Sequence, residues 1–115
     1  MRFVVLVIGL CIASPATGKE LDGNRLQQWC WAVPLRRTIA EAEDSAQCVA
    51  FVLGVMDAVI TLSPSLFCPP TGTTNGQAAV VVRKFLYDYP ARLHETGFSL
   101  VVMALQKEWP CPKEN

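Results

Sequence analysis

The spacing of four cysteines limits the folds open to this chain. They are Cys30, Cys48, Cys68 and Cys111, and a fifth, Cys11, lies in an N-terminal segment that we expect to be removed. An even number of cysteines in a small exported domain indicates two disulfides. A zinc site usually contains a Cys-x-x-Cys pair, and a redox pair needs closely spaced cysteines; neither spacing occurs. Two structural disulfides are therefore predicted, with free buried thiols as the alternative.

Residues 1–18 have the layout of a secretory signal peptide. Arg2 precedes an apolar run over residues 3–13, and small residues follow, so we expect cleavage after Ala16 or Gly18. The apolar run is shorter than the ~20 residues that a membrane helix needs. We therefore predict export without a membrane anchor, and a single domain over residues 19–115.

Composition excludes two classes of protein. The chain of 115 residues has 10 Lys plus Arg and 10 Asp plus Glu, so its formal charge is zero. A nucleic-acid binder needs a clustered positive face to displace counterions from phosphates, and the charge balance gives no support for one. The chain is 51% hydrophobic and 17% charged. Unlike a disordered protein, it can bury enough apolar surface to offset its ordering entropy.

Proline and glycine divide the mature chain into four predicted helices. The first begins at Asp22 or Asn24, both favourable N-caps, and ends before Pro34. The third covers residues 77–87, and the fourth begins at Pro90. The expected buried face of the fourth helix carries Leu93, Gly97, Leu100, Val101, Ala104 and Leu105. Residues 63–76, between the second and third helices, are rich in Pro, Gly, Ser and Thr, which indicates a long loop.

The second helix is predicted to be central and to end at Leu62. Two capping boxes could start it: Thr38 with Glu41, or Asp44 with Gln47. Its small and polar side chains fall on one line: Gln47, Ala50, Gly54, Asp57 and Thr61. The opposite side carries Cys48, Val52, Val55, Val59 and Leu62. Such a helix is expected to be buried on most of its circumference. The small residues could also let another helix approach closely, within the fold or from a second copy.

Helix directions choose the cysteine pairing. Four helices with short connections alternate in direction, which predicts an all-α, up-down four-helix bundle. Cys30 lies late in the first helix and Cys48 early in the second, so both lie at one end of the bundle. Cys68 follows the second helix and Cys111 follows the fourth, and these helices run the same way. The predicted disulfides are therefore Cys30 with Cys48 and Cys68 with Cys111.

No group of residues in the sequence points to catalysis, a metal or another cofactor. His94 is the one histidine, and its neighbour Glu95 lies on a different side of a helix, so we interpret His94 as a surface or half-buried residue. Asp57 is the one charge inside an apolar helix. A single carboxylate cannot perform paired acid–base chemistry. We interpret Asp57 as a hydrogen-bonded structural residue or part of an interface, and we predict that the chain is not an enzyme.

The three tryptophans fall into two groups. Trp29 and Trp109 lie at positions expected to face the core. Trp31 lies on another side of the first helix, and Met103 on another side of the fourth. We therefore predict that Trp31 and Met103 are exposed apolar side chains, of the kind that concentrates in binding surfaces.

An ordered set of short motifs resembles the Rap/Tai immunity proteins of bacterial type VI secretion. The motifs are CVAFVLGVMDA from Cys48, FCPP from Phe67, GQ from Gly76, VVRKFL from Val81, YP from Tyr89, LV from Leu100, AL from Ala104 and WPC from Trp109. The resemblance runs from about Leu21 to Cys111. It implies an all-helical periplasmic protein, often a homodimer, that binds and blocks a secreted peptidoglycan amidase.

An inhibitor of this kind can fill the substrate groove of its target with a rigid loop, because a preorganised loop loses little entropy on binding. We expect the loop over residues 63–76 to be this plug, held near Cys68 and free at its tip. The predicted partner-binding residues are Thr71, Gly72, Thr73, Thr74 and Asn75.

Two other functions are compatible with a small exported helical domain. A periplasmic chaperone or envelope stress protein would bind unfolded clients at low pH, although one histidine gives little capacity for a pH switch. An enzyme accessory protein or small-ligand binder would show a deep apolar pocket with convergent polar groups. Asp57 facing such a pocket would favour the second alternative.

Overall fold

The computed structural model describes residues 20–113, which form four α-helices and one short 3₁₀ turn. The α-helices are α1 (Gly23–Trp31), α2 (Ile39–Leu62), α3 (Asn75–Asp88) and α4 (Gly97–Glu108). The described part of the chain contains no β-strand, so the predicted all-α bundle is confirmed. The predicted signal peptide over residues 1–18, with Cys11, lies outside the described residues.

Side-chain caps start α1 and α2 at positions that the sequence predicts. Asp22 caps α1 by accepting a hydrogen bond of 3.0 Å from the backbone N–H of Arg25. Of the two capping boxes predicted for α2, the one formed by Thr38 and Glu41 starts the helix. Helix α2 therefore begins five residues before Asp44, at Ile39. A cap of this type contributes about 1 kcal/mol to helix stability.

The fourth helix begins later than predicted. Pro90 starts only the 3₁₀ turn Pro90–Arg92, and α4 begins at Gly97 after the N-cap Thr96. Gly97 donates its backbone N–H to the carbonyl of Leu21 at 2.7 Å, which ties the start of α4 to the segment before α1. This tertiary contact and the Thr96 cap override the local preference for a helix at Pro90. Leu93 is half-buried ahead of the helix, whereas the other predicted core positions of α4 are buried.

Both predicted disulfides are confirmed. Cys30 pairs with Cys48 across a Cα separation of 4.9 Å, and Cys68 pairs with Cys111 across 4.8 Å. The first pair is buried in the core. Fully buried side chains from all four helices belong to the same core, including Leu26, Val52, Val82, Leu86, Leu100 and Leu105. The core therefore lies between the helices, with one disulfide inside it and one near the surface.

The prediction that α2 is buried on most of its circumference is wrong. Cys48, Val52, Val55 and Val59 are buried as predicted, but Leu62 is 81% exposed. Helices α1, α3 and α4 all contact α2, yet its buried residues lie along one side. Three short neighbours cannot surround a 24-residue helix. The side of α2 opposite its buried residues is therefore not covered by another described helix.

Helix α2 has a mean hydropathy of 1.8 over an 18-residue window, enough by length and composition to cross a membrane. The core helix of a small bundle meets the same criterion. The buried side of α2 supplies much of the core, and its Cys48 forms a disulfide with α1. This packing accounts for the apolar composition of α2 on its buried side.

Candidate functional site

The predicted plug residues lie at the end of the loop between α2 and α3. The backbone N–H of Cys68 donates a hydrogen bond of 2.8 Å to the carbonyl of Trp109, next to the Cys68–Cys111 disulfide. Thr73 then donates both its backbone N–H (3.1 Å) and its hydroxyl (2.7 Å) to the carbonyl of Pro70. Gly72 lies inside this turn with a φ of 88°. A positive φ at the third position is typical of a type II turn and favours glycine.

The plug residues are held more firmly than predicted. Thr74 is the N-cap of α3 and forms a capping box with Gln77, and Asn75 is the first residue of that helix. The expectation of a free segment at residues 71–75 is therefore wrong, because the helix cap and the turn fix its backbone. Thr71 and Gly72 are exposed at the tip. We call residues 71–75 the projection; the turn and the helix cap hold its backbone.

A broad apolar groove runs beside this projection. It has a volume of about 770 Å³, and its walls include Val33, Pro34, Pro70, Val80 and Trp109. Residues 71–74 form part of its rim. The groove and the projection together give one side of the molecule a shape that can engage a protein surface.

Exposed aromatic rings form a second surface feature between α1 and α3. Trp31 is 52% exposed, which confirms its prediction, and Tyr87 is 66% exposed. Met103, the other predicted exposed side chain, is partly buried and packs against the core. We call the hollow formed by Asn24, Gln27, Gln28, Trp31 and Tyr87 the aromatic groove; its volume is about 410 Å³.

Arg83 lies at the edge of the aromatic groove, with its guanidinium carbon 4.5 Å from the centroid of the Trp31 ring. The Nε of Arg83 is buried and has no hydrogen-bond partner. The next residue, Lys84, differs because it forms an ion pair of 2.7 Å with Asp88. The hydrogen bond to Asp88 raises the pKa of Lys84. Within residues 20–113, Arg83 has no such partner.

The open side of α2 carries small and apolar residues. We call the positions Ala42, Ala46, Val49, Ala50, Leu53 and Ile60 the open face of α2; each is exposed or only partly buried. Gly54, also exposed, would place an added Cβ more than 4 Å from any heavy atom apart from its chain neighbours and its own helix backbone. No described helix therefore packs against Gly54, so a close approach within the described fold is excluded. A second copy remains compatible with this face.

Of the two predicted polar candidates, Asp57 lies on the open face of α2, four residues after Leu53 and three before Ile60, whereas His94 lies outside these features. His94 is exposed, in agreement with its interpretation as a surface residue. Asp57 is also exposed and makes no hydrogen bond to another described residue, so the structural interpretation is wrong and an interface role remains. Over residues 20–113 no three His, Cys, Asp or Glu side chains are grouped as they are in a metal site.

Arg83 and Tyr87 are not among the contact residues predicted from the sequence. On α3 both follow Val80, at spacings of three and seven residues, so the three share one side of the helix. Val80 and Tyr87 are 48% and 66% exposed. That spacing was visible in the sequence. The stacking of Arg83 on Trp31 was not, because it depends on how α1 packs against α3.

The comparisons with known proteins agree with this fold. A family model described as Rap1a immunity proteins matches residues 22–111, a segment that includes all four α-helices and both disulfides. A search of individually curated proteins gives no match. The disulfides and this family are consistent with a location outside the cytoplasm. This chain belongs to the Rap1a immunity proteins, a family that acts against secreted effectors.

Proposed function

We propose that this chain is a periplasmic immunity protein that binds and inhibits a peptidoglycan amidase delivered by type VI secretion. The family match over residues 22–111 carries this proposal. The signal-type N-terminus and the two disulfides support action in an oxidising compartment after signal cleavage. Inhibition there protects the producing cell and its kin from damage to the wall.

Inhibition occurs by obstruction of the substrate groove of the amidase. The projection at residues 71–75 enters that groove, and the apolar groove beside it receives the rim of the enzyme. A turn, a disulfide and a capping box already fix the backbone of the projection. Binding therefore loses little conformational entropy, which favours tight association.

We also propose that the protein is a homodimer formed through the open face of α2. Small side chains such as Ala46 and Ala50 let two helices approach closely. Contiguous exposed apolar surface on a small protein commonly marks an interface. Burial of this face in a dimer explains why α2 is apolar on both sides.

Coexpression tests the immunity proposal. The protein encoded by the adjacent reading frame is exported to the periplasm, with and without the full chain. We expect toxicity from that protein alone and rescue of growth by the full chain. A variant that lacks residues 2–18 is the matched control and should not rescue, since it stays in the cytoplasm. A non-toxic neighbour, or toxicity without rescue, contradicts the proposal.

Two single substitutions test the projection. Thr71→Arg changes an exposed side chain at its tip, and Ser65→Arg changes an exposed side chain earlier in the same loop. Neither side chain makes a hydrogen bond to another described residue, so both variants should keep the melting temperature of the wild type. We expect Thr71→Arg to weaken inhibition at least tenfold and Ser65→Arg to leave it unchanged. Equal inhibition by the two variants contradicts the proposed plug.

A further inference from the structure

We propose that the aromatic groove is a second contact surface for the effector, and that Arg83 there binds a carboxylate side chain of that protein. This inference rests on the proposed immunity function and extends it beyond the projection at residues 71–75.

Arg83 is prepared for an anionic partner. Its guanidinium is positioned over the Trp31 ring at 4.5 Å. Its Nε is buried and is not accessible to a partner, but its terminal nitrogens are not buried and make no hydrogen bond to other described residues. A guanidinium that is held in place but lacks an acceptor can bind a carboxylate with little further loss of side-chain freedom, in a planar two-point arrangement.

The surroundings of Arg83 fit a protein partner. Trp, Tyr and Arg are the residues that contribute most to binding energy at protein interfaces. Trp31 and Tyr87 line this groove, and Arg83 stacks on Trp31. The amide side chains of Gln27 and Gln28 supply hydrogen-bonding groups at its edge. A glycan strand fits less well, because the guanidinium already occupies a face of the Trp31 ring on which a sugar would stack.

Helix α3 connects the aromatic groove with the apolar groove, because Tyr87 lines the first and Val80 lines the second. Val80 lines the apolar groove together with residues 71–74. Arg83 follows Val80 by three residues on α3, which places the two side chains on adjacent positions of one helix face. An effector that contacts the projection and Val80 can therefore also contact Arg83.

The test measures binding of the purified product of the adjacent reading frame to the full mature chain. We compare Arg83→Glu with Arg25→Glu, because Arg25 lies 5.8 Å from the Trp29 ring on another side of α1 and provides a matched change of charge. We expect Arg83→Glu to weaken binding roughly 30-fold or more, as reversal at a desolvated charge pair does. Arg25→Glu should weaken it less than about threefold, as expected at a rim charge.

Two further measurements make the test specific. Tyr87→Ala truncates an exposed ring and keeps Arg83, so it covers the case in which Arg83→Glu does not fold; we expect roughly tenfold weaker binding from loss of an aromatic anchor. Replacement of single Asp or Glu residues on the effector by Lys should include one change that restores its affinity for Arg83→Glu.

The outcomes separate the two proposals. If the wild-type chain does not bind the effector, the immunity function itself is contradicted. If it binds and both Arg83→Glu and Tyr87→Ala retain wild-type affinity, only the second contact surface is overturned. Binding of purified soluble glycan strands that Arg83→Glu abolishes, with unchanged affinity for the effector, also overturns it.

Discussion

Two glycines in this protein are required for different physical reasons. Gly72 has a φ of 88°, where a side chain is strained, although its Cβ would meet no atom within 4 Å. Gly23 has an ordinary backbone but lies against the segment before α4. A Cβ on Gly23 would lie 2.8 Å from both the Cα and the carbonyl oxygen of Leu93. Backbone atoms cannot move aside cheaply, so this position has no room for a side chain.

Gly72→Ala should lower the free energy of unfolding by about 1–2 kcal/mol, the cost of a left-handed conformation in a residue with a Cβ. Gly76→Ala is the matched control, since it lies inside α3 with an ordinary φ and ample space. That substitution should stabilise the protein by up to about 1 kcal/mol through helix propensity. Urea unfolding measures both values. Shifts in the same direction contradict the turn geometry.

The starts of α1 and α2 could be predicted from sequence, whereas the start of α4 and the burial of α2 could not. A cap depends on residues three or four positions apart, so Thr38 with Glu41 could be recognised in the sequence. The delayed start of α4 depends on the bond between Gly97 and Leu21, which are far apart in the chain. Which side of α2 is covered likewise depends on the lengths and positions of its neighbours. Interactions between residues close in sequence can be predicted from the sequence, whereas contacts between helices depend on how the helices pack.

The two possible starts of α2 give a direct comparison of stability. Thr38→Ala removes the observed cap and should lower the free energy of unfolding by about 1 kcal/mol. Asp44→Ala changes the competing box inside the helix and should alter it by less than ~0.5 kcal/mol. Thermal and urea unfolding of the two variants provide the measurement. A larger loss for Asp44→Ala would show that α2 starts later.

The whole molecule is held together by covalent links as well as by its core. The disulfides join residues 18 and 43 positions apart. Their pairing followed from helix directions, so this long-range feature could be predicted from sequence. The candidate site was predicted only in part. The plug residues could be placed in a loop, but the Arg83–Trp31 stacking requires α1 and α3 to be packed together.

Removing the Cys68–Cys111 disulfide should lower both the free energy of unfolding and the inhibition of the effector. Loss of a disulfide that spans 43 residues costs about 4 kcal/mol on the chain-entropy model. The double variant Cys68→Ser with Cys111→Ser should therefore unfold at a markedly lower urea concentration. At temperatures where it remains folded, it should also inhibit less well, because the loop loses its anchor. Unchanged inhibition by the folded variant would indicate that this anchor is dispensable.

If the protein is a homodimer, a charged substitution on the open face of α2 should halve its molecular mass in solution. Ala50→Arg places a charge on the open face of α2 and should convert a dimer into a monomer, measured by light scattering after gel filtration. Ala91→Arg is the control, because it makes the same change at an exposed alanine in the 3₁₀ turn, outside α2. We expect Ala91→Arg to remain dimeric. A wild-type protein of monomeric mass at the same concentration contradicts the dimer.

The link between the loop and the end of the chain has a practical consequence. Trp109 lines the apolar groove, and Cys111 is bonded to Cys68 in the loop that carries the projection. A label joined directly after Lys113 therefore starts two residues from this disulfide, close to the surface that we expect the effector to cover. A flexible linker between Lys113 and the label keeps that surface accessible in pull-down and imaging work.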